Sequence, residues 1–177
     1  ISATLDGKKA QLSKLIAFSP QNNSLYPFLT LEENLYTFGH LYNVKSSLIK
    51  ERMEKLLDKL SLAGHKKKKI IQLSGGMQKR ADLAITLIHN PMIIFLDEPF
   101  AGLDIALRKF LWEFLKDQAQ EGKIIIVSSH AINELEDNCN EFGLVASNRF
   151  FNTDQIRSTM KNTKQKDLTD YLTKLFS

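Results

Sequence analysis

Cysteine is nearly missing from this chain: Cys139 is the only one among 177 residues. A lone thiol excludes an internal disulfide and fits a reducing compartment. No apolar run approaches the roughly 20 residues needed to cross a bilayer as a helix, and the first residues lack the basic-then-apolar pattern of a secretion signal. Both absences lead to the expectation of a cytosolic chain. Internal repeats and low-complexity linkers are also missing. Nowhere does G-x-x-x-x-G-K-[ST] occur, the loop that cradles nucleotide phosphates.

What is present allows one substantial core. The hydrophobic content is 43% and the formal net charge only +4, which suits one domain with a smaller appended subdomain. Much of the positive excess is Lys66 to Lys69, read as a solvated basic stretch.

Leu15 to Phe18 is a short apolar run ending at Ser19-Pro20, hence a strand entering the loop Pro20 to Ser24. Thr30 with Glu33 forms a capping box, after which Leu31, Leu35, Phe38 and Leu41 recur at helical spacing. Ile49, Met53, Leu56, Leu57 and Leu60 define a second amphipathic helix, with Gly64 placed to end it. No strand separates the two, so they read as a helical insertion in an α/β core. Ser74 can cap a third helix, with Met77, Ala81, Ala84, Ile85 and Ile88 as its apolar face and Asn90-Pro91 as its close.

Met92 to Leu96 is apolar without alternation, as in a parallel sheet covered on both faces. A helix carrying Leu107, Phe110, Leu111, Phe114 and Leu115 then ends near Gly122. The strand Ile124 to Val127 runs into Ser128-Ser129-His130, and a short helix around Ile132 and Leu135 precedes Phe142 to Ala146. Asn148-Arg149 is a turn into Phe150-Phe151. Leu168, Leu172, Leu175 and Phe176 suggest a final helix. Alternation of strands and helices marks a three-layer α/β domain.

Open parallel sheets place ligands at the carboxyl ends of their strands. Asp97 and Glu98 directly follow such a strand, so one carboxylate can anchor a hard cation while its neighbour faces an attacking water. A pair of loop-capping acids has the same sequence. Ser74-Gly75-Gly76 opens a helix whose N–H groups can receive a phosphate, or is an ordinary loop before a cap. His130 follows a strand end, where it can donate to a phosphate oxygen or serve the fold. Gln21 can offer an amide oxygen to a cation or its water, or merely be solvated.

In order and spacing, Pro20-Gln21, Leu73-Ser74-Gly75-Gly76, Ile93 to Pro99, Ala101-Gly102-Leu103-Asp104 and Ser128-Ser129-His130 together resemble the Q-loop, signature, Walker B, D-loop and switch histidine of ATP-binding cassette (ABC) ATPases. The resemblance runs from about Leu5 to about Met160. Leu25 to Leu35 is similar to the stretch after the Q-loop in ATPases of bacterial and archaeal exporters, and Glu134 falls where the family often has an acid. The resemblance implies a RecA-like P-loop NTPase fold: an α/β three-layer core with a mainly parallel sheet and an inserted helical subdomain. Residues 1–177 then make one ATPase domain, with the helical subdomain at about 28–90, the core at 1–27 and 91–160, and a C-terminal helix at 161–177.

It further implies ATP and Mg2+ as ligands. Gln21 senses the γ-phosphate and the metal, Asp97 anchors the metal, Glu98 polarises the attacking water and His130 contacts the γ-phosphate. Ser74, Gly75 and Gly76, with Gln78 beside them, bind ATP held by a second ABC ATPase domain, and Asp104 communicates across that dimer. A transmembrane permease is the other implied partner, holding the chain at the inner face of the cell membrane; no nucleic acid is expected. A non-catalytic cassette acting as an interaction module, and a soluble ABC ATPase outside transport, are the alternative readings.

Three positions depart from the family pattern. Met77 stands where the commonest signature has glutamine. Phe100 replaces a frequent small hydroxyl residue after Asp-Glu-Pro, with an expected effect on packing. In the family a strand, the Walker A loop and its helix precede the region of Leu5-Asp6-Gly7, so the sequence is expected to be a piece of a longer ATPase and to be inactive by itself. Without that strand, Ile93, Phe95, Ile124 and Ile126 are expected to be uncovered.

Overall fold

A computed structural model describes residues 2–5, 8–146 and 149–162. They fall into two compact units, Ile1–Ser128 and Ser129–Ser177. The first opens with an antiparallel hairpin of β1 (Ser2–Leu5) and β2 (Lys8–Gln11), separated in the sequence by Asp6-Gly7, a dipeptide that favours two-residue hairpin turns. One helical turn, α1 (Leu12–Leu15), leads into β3 (Ile16–Ser19).

The central sheet has the order β3-β4-β5, all parallel, with β4 spanning Ile93–Asp97 and β5 Ile124–Ser128. Parallel pairing needs long crossovers, and the intervening helices supply them. Ala17, Ile94 and Leu96 point to the buried face of the sheet. On the other face Phe18 is 62% exposed, Ile124 58% and Ile126 46%. Expected exposure is therefore found on β5, whereas Ile93 and Phe95 are half-buried because they lie on the middle strand, flanked on both sides.

Between β3 and β4 lie only helices. In α2 (Leu31–Leu41) the capping box is complete: the Glu33 N–H donates to Thr30 Oγ1 at 3.2 Å and the Thr30 N–H to Glu33 Oε2 at 2.7 Å. Leu31 and Leu35 are fully buried, but Leu41 is 65% exposed, so the apolar stripe stops one turn earlier than its spacing predicts. In α3 (Ser46–Lys59), Ile49, Met53 and Leu57 are buried. Gly64 does not end this helix. It stops at Lys59, Ser61 takes a left-handed φ of 54°, and the Arg80 guanidinium donates to the Leu60 and Ser61 carbonyls at 2.9 and 3.3 Å. A side chain from another helix thus satisfies the terminal carbonyls that a glycine cap would otherwise serve. Gly64 lies in the 3-10 turn Ala63–His65. Within the lysine run, Lys67, Lys68 and Lys69 are exposed, and Lys66 and Lys67 both pair with Glu32.

α4 (Gly75–Leu87) is buried continuously from Ala81 to Leu87. α5 (Ile105–Gln120) buries Leu111, Trp112, Phe114 and Leu115 and is followed after Glu121 by Gly122, whose φ of 90° suits a residue without Cβ.

His89 follows α4 and stacks on Tyr42 with ring centroids 3.7 Å apart. Its Nε2 lies 3.3 Å from the Ile16 carbonyl, while Nδ1 is buried without a partner among the described residues. Burial lowers the imidazole pKa below the usual 6.5, the Ile16 carbonyl opposes this and the Arg52 cation adds to it. The folded state therefore takes up this proton less readily than the unfolded chain, so stability is full above pH 6.5 and declines as pH falls below it. Urea midpoints at pH 7.5 and 5.5 should show this loss, with a shallower pH slope in His89→Phe; equal slopes would refute the assignment.

In the second unit, α6 (Ile132–Asn138) precedes β6 (Gly143–Ala146), which pairs antiparallel with β7 (Arg149–Asn152). A helix, α7 (Thr153–Asn162), follows. The Thr153 hydroxyl donates to the Phe142 carbonyl at 2.6 Å and accepts from the Phe142 N–H at 2.8 Å, which closes the β6–β7 pair. The final helix expected at 161–177 falls, beyond Asn162, outside the described residues, as do Asp6, Gly7 and Asn148. Among the described residues no helix is long and apolar enough to cross a membrane.

Candidate functional site

The parallel register sets Asp97 directly beside Ser128 at the carboxyl ends of β4 and β5. The Ser128 hydroxyl donates to Asp97 Oδ1 at 2.5 Å and accepts from the Glu98 N–H at 3.0 Å. One hydroxyl therefore fixes both acidic positions. Glu98 has φ 46°, the left-handed region that a residue with a Cβ rarely enters. Such a conformation costs about 1–3 kcal/mol and persists where surrounding bonds over-determine it. Here the Ser128 bond before it and a turn after it, with the Ala101 N–H donating to the Glu98 carbonyl at 3.2 Å, supply that restraint.

Beyond the turn, Asp104 caps α5, its Oδ1 accepting from the Leu107 N–H at 2.8 Å. Ser74 caps α4 in the same way, its hydroxyl accepting from the Met77 N–H at 3.3 Å. The two first turns meet. A Cβ on Gly76 would stand 2.5 Å from Leu107 Cδ2, whereas one on Gly75 would meet nothing within 4 Å. Gly76 is thus required by helix packing, and Gly75 leaves the exposed start of α4 open to a ligand. Gln78 points its amide inward, donating to the Ile70 and Leu73 carbonyls at 3.2 and 3.1 Å. It shapes the turn before Ser74.

Gln21 is exposed on the loop after β3, and its carbonyl accepts from Lys79 Nζ at 3.5 Å. Lys79 is buried on α4; desolvation lowers its pKa, and the Asp82 and Asp97 carboxylates oppose that. His130 lies at an exposed position in the second unit, ahead of α6. The structure thus gathers Asp97, Glu98 and Ser128 in one group, joins the starts of the Ser74 and Asp104 helices, and links Gln21 to α4. Sequence reading missed Ser128 as a partner of both acids, and Lys79 and Asp82 altogether. Only the strand register and the inward face of α4 reveal them.

Among the described residues no cluster of three metal-ligating side chains occurs. One carboxylate at a strand end, steadied by a hydroxyl, fits a cation that keeps most of its water, as Mg2+ does.

The family profile described as ABC transporter matches residues 2–101, more than half of the chain. The chain belongs to the ABC transporter family. Its matched span takes in Gln21, Ser74 to Gly76, Asp97 and Glu98. The linearmycin resistance ATP-binding protein LnrL of Bacillus subtilis is 33% identical over 136 residues, which are 77% of this chain and 44% of that protein. Nod factor export ATP-binding protein I of Cupriavidus metallidurans is 36% identical over 130 residues, 73% of this chain and 43% of its own length. The chain thus spans less than half the length of either relative. A solved structure of the ATP-binding subunit of an ABC transporter superposes with a TM-score of 0.80 over 98% of this chain and 75% of that one, at 23% identity. The fold is that of an ABC ATPase, the P-loop NTPase class with a parallel sheet and mixed α/β layers.

Proposed function

We propose that the full-length protein containing this chain binds and hydrolyses ATP as the motor of an ABC exporter, pairing head to tail with a second ATPase domain beneath a membrane-embedded permease. The observation that most supports this is Glu98, displayed at φ 46° beside a hydroxyl-fixed Asp97. Backbone strain of this kind clusters where a side chain must meet a reacting atom. Glu98 is the general base and takes a proton from the attacking water. Asp97 is the protein anchor of Mg2+, which when bound neutralises charge on the phosphates during transfer.

Gln21, exposed after β3, faces the γ-phosphate and the cation's water and relays occupancy to the permease. His130 donates to the γ-phosphate. Ser74, Gly75 and Gly76 present the N-terminus of α4 to the ATP of the second domain, a role that the open space at Gly75 suits. Gln78 acts through the shape of that turn, and Asp104, whose helix start abuts α4, couples the two domains. Residues 28–90 form the helical subdomain, and 1–27 with 91–160 the core. Export is the direction suggested by the printed name of the Nod factor relative.

Ser74→Ala in the full-length protein tests the pairing. Loss of a cap costs about 1 kcal/mol of helix stability, yet ATP-dependent dimerisation and turnover should fall at least about tenfold. Binding of ATP to the monomer should change less than about twofold, since Ser74 serves the ATP of the second domain. Sedimentation with and without ATP, together with titration of a fluorescent ATP analogue, separates these effects. An equal loss of monomer binding would defeat the reading.

A further inference from the structure

The loop from Pro20 to Leu25 makes no backbone-to-backbone hydrogen bond among the described residues, and α4 holds it instead. Asp82, 1% exposed, accepts from the Ser19 hydroxyl at 2.5 Å through Oδ2 and from the Ser24 N–H at 2.9 Å through Oδ1. One buried carboxylate thereby closes the loop at both ends. Lys79, one turn earlier and 9% exposed, donates to the Gln21 carbonyl at the loop's centre at 3.5 Å. Asn23 also reaches Gln78 Oε1 at 3.4 Å. A buried carboxylate is tolerated only when bonded and matched by opposite charge, and Lys79 is the buried cation on the same helix face.

We propose that Lys79 and Asp82 are positioning residues: a buried clasp that fixes the Gln21 loop to the helix opened by Ser74, so that the two move as one body. The consequence for turnover rests on the ATPase reading above; the clasp itself does not. The loop carries Gln21 while α4 carries Ser74, so displacement at one is transmitted to the other through three side chains of a single helix.

Hydrogen exchange of the Ser24 amide in the full-length protein, followed without nucleotide, reads the clasp directly. Asp82→Ala should speed that exchange about tenfold or more while amides within α2 and α3 keep their rates. Lys79→Met retains the length and burial of the stem, so it serves if Asp82→Ala fails to fold, and it should raise exchange across residues 21–24. In ATPase assays both variants should lose kcat about tenfold to a hundredfold with KM for ATP within about twofold, as expected when a catalytic group is misplaced rather than removed. Unchanged Ser24 exchange in folded Asp82→Ala, or unchanged loop exchange in Lys79→Met, overturns the clasp. Faster exchange in these variants, where the parent protein hydrolyses no ATP, upholds the clasp and defeats the ATPase reading.

Discussion

Glu98→Gln is expected to lower ATP turnover of the full-length protein by about 10²- to 10⁴-fold, the range that a positioned general base contributes. ATP binding should persist. The substitution keeps the side-chain shape and leaves the Glu98 N–H, which donates to Ser128, untouched. It removes only the ability to accept a proton. Single-turnover measurements should therefore show bound, unhydrolysed ATP and a longer-lived ATP-dependent dimer. Turnover within about threefold of the parent would refute the assignment, since that is far below what a general base supplies.

The same position offers a second measurement with the opposite sign. Glycine enters the left-handed region without the penalty that a Cβ brings, which amounts to roughly 1–2 kcal/mol. Glu98→Gly should thus unfold at higher urea than Glu98→Gln while being equally inactive. A residue that weakens the fold and is indispensable to turnover is one placed for chemistry rather than for packing.

The parts of this molecule most legible in the sequence are those set by neighbours along the chain. Thr30 and Glu33 specify the start of α2 by local bonds, and the uninterrupted apolar run before Asp97 marks the strand β4, although it predicts cover on both faces of the sheet and only the face of Ala17, Ile94 and Leu96 is buried. Less legible were features decided by distant contacts. Gly64 looked like a helix stop, but Arg80 reaches across to satisfy the carbonyls at the end of α3, so the chain turns earlier, at Ser61. The acids of the site were identifiable because they follow a strand. Ser128 was not, because its place beside Asp97 depends on which strands are neighbours and in what register. Asp82 was hidden for a related reason. A carboxylate within an apolar helical pattern reads as a solvent-facing position until the loop that buries it is seen.

Phe100→Ala is expected to cost about 3–5 kcal/mol of stability, the range for removing a buried aromatic ring. Phe100 is 3% exposed and stacks on Trp112 with ring centroids 4.3 Å apart and planes 29° apart. Such a pair contributes about 0.5–1.5 kcal/mol beyond the area it buries. The ring is set between two turns, for the Leu103 N–H donates to the Phe100 carbonyl at 3.3 Å just after the Ala101 bond to Glu98. It therefore anchors the segment between the strained Glu98 and the cap residue Asp104. Trp112 is the only tryptophan, so its fluorescence in urea reports the unfolding of this contact without added probes. Phe100→Leu keeps much of the buried area and should lose less than half as much. Phe100→Ser carries the small hydroxyl common in the family, yet it should be at least as unstable as the alanine variant, because it removes the same ring and adds a hydroxyl that must be desolvated at a buried position. Stability within about 1 kcal/mol of the parent for both small residues would mean that Trp112 closes the gap by itself, contrary to the limited relaxation usual in packed cores. The expected ordering, with leucine above alanine and serine lowest, makes position 100 a packing determinant of this chain.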